Sequence, residues 1–199
     1  MADSKNKDVI RRQLREKLAA MSDADRHAKS VAACTLVARS PEFAAATTIM
    51  LYLSSHSEVD TSQLALRGWQ AGKTIIVPKV FLHEKRMLPI EITSLNNNLT
   101  TSTLGVREPV GGKPVPVNFI DLVIVPGLGF STTGHRIGRG MGFYDRFLAQ
   151  SEFLGLSCGL AFDEQIVEQL PVLDHDVPLS MLVTDRSIRR FASNCIEHK

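Results

Sequence analysis

Ile10, Leu14, Leu18 and Met21 recur every three or four positions with basic side chains between them, which predicts one buried face of a helix over residues 5–21. A second helix is expected directly afterwards. Ser22 with Asp25 three residues on has the form of a capping box, and Ala28, Val31, Ala32 and Leu36 supply an apolar stripe until Ser40-Pro41 stops it. The period then shortens. Residues 48–53 are a short apolar run of strand type, Thr61 is placed to cap a helix ending near Gly72, and 74–77 is a strand closed by Pro78. Further strands are expected at 87–92, 121–125, 156–162 and 181–184, with helices around 142–151 and 163–169 and a long loop region over 96–116. This alternation predicts an α/β fold with a mostly parallel sheet covered on both faces, in which ligands gather at the carboxyl ends of strands. A length of 199 residues suits one domain over 1–199, the amino-terminal helix included.

Composition narrows the function classes. The formal charge is only +2, from 23 Lys plus Arg against 21 Asp plus Glu, so no nucleic-acid partner is expected. The longest apolar run, at 49–53, is far short of the roughly 20 residues that span a bilayer. No membrane association is expected. The first 17 residues are polar and charged with no apolar core of a secretory signal, which makes the cytoplasm the default address. Cys34, Cys158 and Cys195 are odd in number and widely separated, so they suggest neither a disulfide framework nor a metal knuckle. Charge is unevenly distributed all the same. Residues 1–30 carry eight Lys or Arg against five acids, whereas 147–185 carry seven acids and no Lys or Arg. From charge alone these are expected to be two solvated faces.

Six of the 13 glycines fall between Gly127 and Gly142, where even spacing would place about one. A strand at 121–125 runs into this stretch, and Arg136-Ile-Gly-Arg-Gly-Met-Gly-Phe-Tyr-Asp145 then leads into a helix. Amides without side chains in the way can approach phosphate oxygens closely, and Arg136 and Arg139 add full charges in the same loop. The combination points to a nucleotide-phosphate cradle, with a glycine-rich connector as the other possibility. Neither the dinucleotide fingerprint nor the P-loop spacing is present, which disfavours a dehydrogenase or a P-loop ATPase. Gly155-Leu-Ser-Cys-Gly159 fits the pattern of a serine hydrolase elbow, but its apolar residues read as a strand rather than a strand-to-helix turn. The six histidines show no zinc spacing.

The segment Pro126-Gly-Leu-Gly-Phe-Ser-Thr-Thr-Gly-His-Arg-Ile-Gly-Arg-Gly-Met-Gly-Phe-Tyr-Asp-Arg-Phe-Leu148 resembles the signature of the 5-formyltetrahydrofolate cyclo-ligases, also called methenyltetrahydrofolate synthetases. Lys7-x-x-x-Arg11, Tyr52-Leu-Ser-Ser-His-Ser-Glu-Val-Asp-Thr61, Gly72-Lys-Thr-Ile-Ile-Val-Pro78, Arg107-Glu-Pro109 and Asp176-Val-Pro-Leu179 extend the likeness in family order. The resemblance implies a single three-layer αβα domain like the sugar-phosphate isomerase and CoA-transferase architecture. It also implies a ring closure dependent on ATP and magnesium, in which the formyl oxygen on N5 of the folate is phosphorylated, N10 attacks, and phosphate leaves. A small-molecule folate and ATP would be the partners, and a monomer is expected with a dimer left open.

Carried over by position, the resemblance assigns ATP contacts to Lys7, Arg11 and the loop Arg136, Ile137, Gly138, Arg139, Gly140, Met141, Gly142, Phe143 and Tyr144, with Arg139 and Arg136 acting on the transferring phosphoryl group. Leu53, Glu58, Phe143 and Tyr144 would bind the folate, and Asp145 and Asp176 the Mg2+. Many relatives have Lys where this chain has Met141 and Tyr where it has Phe143. The missing ammonium shifts the burden to the two arginines, while the ring at 143 can still stack. An aromatic that some relatives carry is absent around Leu104 to Arg107. Two other readings stay open: a phosphate-binding isomerase or transferase on a related scaffold, which would need no ATP, and a nucleotide- or folate-binding relative without turnover.

Overall fold

The computed structural model describes residues 2–102 and 105–191; Leu104, Cys195 and His198 lie outside the described residues. In chain order the elements are α1 (Ala2–Ala19), α2 (Asp23–Ala38), α3 (Pro41–Ala45), β1 (Thr48–Met50), α4 (Ser62–Gln70), β2 (Thr74–Phe81), β3 (Arg86–Glu91), β4 (Leu99–Thr101), β5 (Arg107–Pro109), β6 (Leu122–Val125), β7 (Gly129–Ser131), β8 (Arg136–Ile137), α5 (Phe143–Leu148), β9 (Leu156–Leu160), β10 (Ile166–Val167), β11 (Met181–Val183) and β12 (Ile188–Arg190). The main sheet runs β12-β11-β9-β6-β1-β2-β3. Its five inner strands are parallel, and β3 and β12 close the two edges antiparallel. From β1 the chain goes through α4 to β2 on one side and later returns through β6 on the other. The order therefore reverses between β1 and β6, where open α/β sheets bind their ligands.

Alternation by two sorts the strand side chains onto the two faces. Ile49, Ile75, Val77, Leu122 and Ile124 face a core closed by Leu14 and Leu18 of α1, Cys34 and Val37 of α2, and Leu64 of α4. Met50, Ile76, Val123 and Val125 face the opposite core, with Phe130 and with Phe147 and Leu148 of α5. The helices are divided unequally. Four lie over the first face, and α5 alone, supplemented by loops, covers the second. Among the described residues no helix is long and apolar enough to cross a membrane. Cys34 and Cys158 are buried and unpaired, and burial pushes the Cys34 thiol up to about 12.

Several local expectations are corrected. Pro78 does not end its strand: β2 continues to Phe81, with Pro78 opposite Pro89 on β3. Ile92 N–H donates to Ile75 O, so alternation makes Pro78 and Pro89 a pair that exchanges no backbone hydrogen bonds, and neither needs the donor it lacks. The strand expected over 48–53 is paired only as far as Met50. The region 96–116 contains the β4–β5 hairpin rather than loop alone. Residues 163–169 form one 3-10 turn and then β10, because Gln165 Oε1 accepts from Phe162 N–H at 2.8 Å and β10 pairs with β7. The helix expected over 142–151 is confined to α5, six residues long. Ser22 caps α2 as predicted, its side chain accepting from Asp25 N–H. Thr61 does not cap α4 with its hydroxyl, which donates to Tyr52 O instead; Asp60 Oδ1 accepts from Ser62 N–H. Ser157 sits in β9, bonded to Ser180, which ends the hydrolase reading of its motif. Nor are the oppositely charged segments merely solvated faces: Lys7 pairs with Asp176 and Lys29 with Glu164.

The start of β1 is tied to β6 by Asp121, whose Oδ2 accepts from Thr47 N–H, Thr47 Oγ1 and Thr48 N–H at 2.7–2.9 Å. Partial desolvation acts to raise this carboxyl, but the bonds from Thr47 and Thr48 outweigh it and hold it below the usual carboxylate range. A depressed folded pKa contributes stability that is complete above the unfolded value of about 3.9 and disappears as pH falls through the folded value. Thermal melts from about pH 6 down to about pH 2.5 should therefore show wild type more stable than Asp121→Asn at the upper end, with the gap closing below about pH 4. A gap independent of pH would place the contribution elsewhere.

Candidate active site

A cleft opens at the carboxyl ends of β1, β2 and β6, lined by Tyr52 and Leu53 just beyond β1, Pro78 and Val80 in the last part of β2, and Pro126 and Gly127 just beyond β6. Its other wall is the segment that follows β8. Gly140 and Gly142 take φ of +104° and +63°, a backbone region that residues with a Cβ rarely adopt, so the loop can turn there and enter α5. Gly138 is different. Its φ is ordinary and nothing lies within 4 Å of where a Cβ would stand, so no contact inside the chain demands a glycine. The glycine cluster is thus not all cradle: Gly127 and Gly129 are hemmed in by the Phe130 ring and by Leu14.

Helix α1 is fastened over this loop by the two cations one turn apart. Arg11 Nε donates to Gly138 O at 3.0 Å, and Lys7 Nζ reaches Asp176 Oδ2 at 2.6 Å, with the two side chains of that pair only 8% and 12% exposed. Asp176 also accepts from Leu173 N–H at 2.8 Å. Burial would raise its carboxyl, and the Lys7 and Leu173 bonds hold it below the usual range. Arg136 is buried; its guanidinium is 3.0 Å from Asp145 Oδ1 and donates to Val177 O at 3.2 Å, while Val177 N–H donates back to Asp145 at 3.3 Å. A charged chain therefore runs from α1 through 176–177 to α5 and β8. The metal candidates Asp145 and Asp176 are linked through the backbone, since the Val177 N–H that follows Asp176 donates to Asp145 Oδ1.

Across the cleft, Glu58 follows β1 on a loop pinned from behind by Tyr52, whose buried hydroxyl donates to Val59 O at 2.9 Å. Arg139, 51% exposed, reaches over from the glycine loop to Glu58 Oε1 at 3.3 Å and Ser55 Oγ at 2.8 Å. Tyr144 lines the cleft, and desolvation there with the nearby Glu58 charge pushes its phenol up, so it stays neutral. Phe143 lines the same space under the Arg146 guanidinium, 5.5 Å from its ring centre.

Of the residues singled out in the sequence, Leu53, Glu58, Arg136, Gly138, Arg139, Met141, Gly142, Phe143, Tyr144 and Asp145 line this one cleft. Lys7, Arg11 and Asp176 stand behind the loop rather than in the lining, and Gly140 is an exposed residue of the loop itself outside that lining. The Ile137 side chain is buried in the core, so only its backbone is available to a ligand. Met141 is 46% exposed, with its carbonyl accepting from Arg146. Sequence reading missed Pro78, Val80 and Met87 of the β2–β3 hairpin, and Arg107 and Glu108 of β5, as lining residues. Only the pairing of β2 with β3 and of β4 with β5 brings them to the cleft, and such pairing leaves no mark in local spacing.

Residues 3–185 match the 5-formyltetrahydrofolate cyclo-ligase family. The chain is 28% identical over 188 residues to a 5-formyltetrahydrofolate cyclo-ligase of Mus musculus, covering 89% of this chain and 93% of that one. It is 30% identical over 178 residues to one of Escherichia coli K12, covering 88% and 98%. The NMR structure of Aquifex aeolicus 5,10-methenyltetrahydrofolate synthetase superposes with a TM-score of 0.80 at 29% identity, over 97% of this chain and 99% of that one. With the family match over nearly the whole chain and these relatives in agreement, this chain belongs to the 5-formyltetrahydrofolate cyclo-ligase family.

Proposed function

We propose that this protein closes 5-formyltetrahydrofolate to 5,10-methenyltetrahydrofolate, converting one ATP to ADP and phosphate in a magnesium-dependent reaction. The observation that carries the reading is the meeting of Glu58 and Arg139 across one cleft, at 3.3 Å. The reaction joins two reactants at a single oxygen: the formyl oxygen on N5 takes the terminal phosphoryl group, N10 attacks the former formyl carbon and gives up its proton, and the oxygen departs within phosphate. The protein must bring a pterin and a triphosphate together and balance the charge between them. Glu58, which can only accept, suits the N–H donors of the reduced pterin, and Leu53, Phe143 and Tyr144 supply apolar and aromatic walls for its ring. Arg139 and Arg136, with the open backbone of residues 137–142, suit the phosphates. Arg11 holds the loop in shape through Gly138 O, and Lys7 stands one turn behind it.

Asp145 and Asp176 fit a magnesium site of the kind that takes one or two carboxylates and completes its shell with phosphate oxygens and water. Among the described residues no group of three or more metal-ligating side chains occurs, which suits a site completed by the nucleotide rather than preformed by the protein. When bound, magnesium would neutralise charge on the phosphates; Arg136 and Lys7 occupy the two carboxylates otherwise. In the same reading the parallel inner sheet is that of the sugar-phosphate isomerase and CoA-transferase architecture, in one domain acting as a monomer.

Nucleotide binding has a test independent of turnover. A ligand bound only by the native state adds about 2.7 kcal/mol at one hundred times its Kd, which raises the melting temperature of a protein this size by several degrees. MgATP or MgADP at millimolar concentration should do so. An unchanged melting temperature would favour a phosphate-binding isomerase or transferase, which requires no nucleotide.

A further inference from the structure

Ser55 stands where the two halves of the cleft meet. A hydroxyl has one proton to donate and two lone pairs to accept with, and Ser55 uses both capacities on charged groups. Its Oγ donates to Glu58 Oε2 at 2.9 Å and accepts from Arg139 Nη2 at 2.8 Å. Ser55 N–H donates to the same Oε2 at 2.9 Å, and Glu58 N–H returns a bond to Ser55 O at 3.1 Å. Oε2 is thereby held by two donors from one residue, and Oε1 is the oxygen turned toward Arg139. The guanidinium is half exposed on a glycine-flanked loop, and its contact with Ser55 is shorter than its 3.3 Å contact with Glu58. The serine is its nearest anchor across the cleft.

On the reading of function given above, we infer that Ser55 is a positioning residue that orients the carboxylate receiving the folate and the guanidinium facing the phosphoryl group. The backbone N–H survives any substitution at this position, so the hydroxyl alone can be tested. Ser55→Ala should raise the Kd of 5-formyltetrahydrofolate, measured by calorimetry without nucleotide, about tenfold, as expected for one lost charge-assisted hydrogen bond. It should also lower kcat about tenfold and leave KM for ATP within about twofold, since ground-state phosphate binding rests on other residues. Ser55→Thr keeps the hydroxyl and should restore both quantities to within about twofold of wild type. Ser54→Ala is the control, because Ser54 Oγ bonds Asp60 and reaches neither Glu58 nor Arg139. Melting temperatures of all three variants should stay within about 2 °C of wild type, since the site is partly exposed. The inference is overturned if Ser55→Ala binds folate and turns over within twofold of wild type, or if Ser55→Thr is as impaired as Ser55→Ala. Absence of turnover by the wild type would overturn the proposed function instead, and the folate-binding comparison would still decide the role of Ser55.

Discussion

Arg139→Ala is expected to lower kcat for methenyl formation by about 10²- to 10³-fold, the loss typical of removing a preorganised group from developing charge, while KM for ATP changes far less. The structure explains the asymmetry. Arg139 is not part of the core or of the α1 clasp; it reaches across the cleft from the glycine-rich loop to Ser55 and Glu58. Its exposed pair with Glu58 contributes at most about 1 kcal/mol to folding, so the variant should melt close to wild type. Met141 provides no ammonium here to take over, and its side chain is exposed beside the loop. Arg139→Lys should recover only part of the loss, because an ammonium is a compact, strongly hydrated charge without the planar fork. An Arg139→Ala enzyme with unchanged kcat and a raised KM for ATP would reduce this residue to ground-state binding.

The other large effect is on stability. Breaking the Lys7–Asp176 pair by Asp176→Leu or Lys7→Met is expected to cost about 3–5 kcal/mol, because each change strands a largely buried charge. The double variant Lys7→Met/Asp176→Leu should recover most of that cost, since neither charge remains to be desolvated. Urea unfolding of the four proteins gives the coupling directly, and single losses that simply add in the double variant would show that the pair is not a unit. All three variants should also bind nucleotide less tightly. Loosening α1 loosens Arg11 from Gly138 O, and with it the loop that faces the phosphates.

Local chemistry was legible and distant pairing was not. Ser22 announced the start of α2 within four residues, and the unbroken apolar runs at 49–51, 75–77 and 122–125 marked strands whose two faces the structure separates cleanly. The glycine and arginine content of 134–145 marked the loop that lines the cleft. What sequence spacing could not carry was the partner of each charge. Lys7 and Asp176 are 169 positions apart, and Glu58 and Arg139 are 81, so only the sheet's crossing order brings them together. Read singly, Glu58 is an ordinary loop acid and Lys7 an ordinary surface lysine. Pro78 misled for a related reason. A proline ends a strand only where its missing N–H is needed, and whether it is needed depends on Pro89 lying opposite.

The central claim is that folate and nucleotide react in the cleft where Glu58 and Arg139 meet. Its most direct measurement is the appearance of methenyltetrahydrofolate absorbance from 5-formyltetrahydrofolate on adding the purified protein, with MgATP present or withheld and ADP counted in parallel. The account predicts product only with MgATP, with one ADP formed for each folate closed. Product formed without nucleotide, ATP hydrolysis unconnected to folate, or no product at all under saturating MgATP would contradict it.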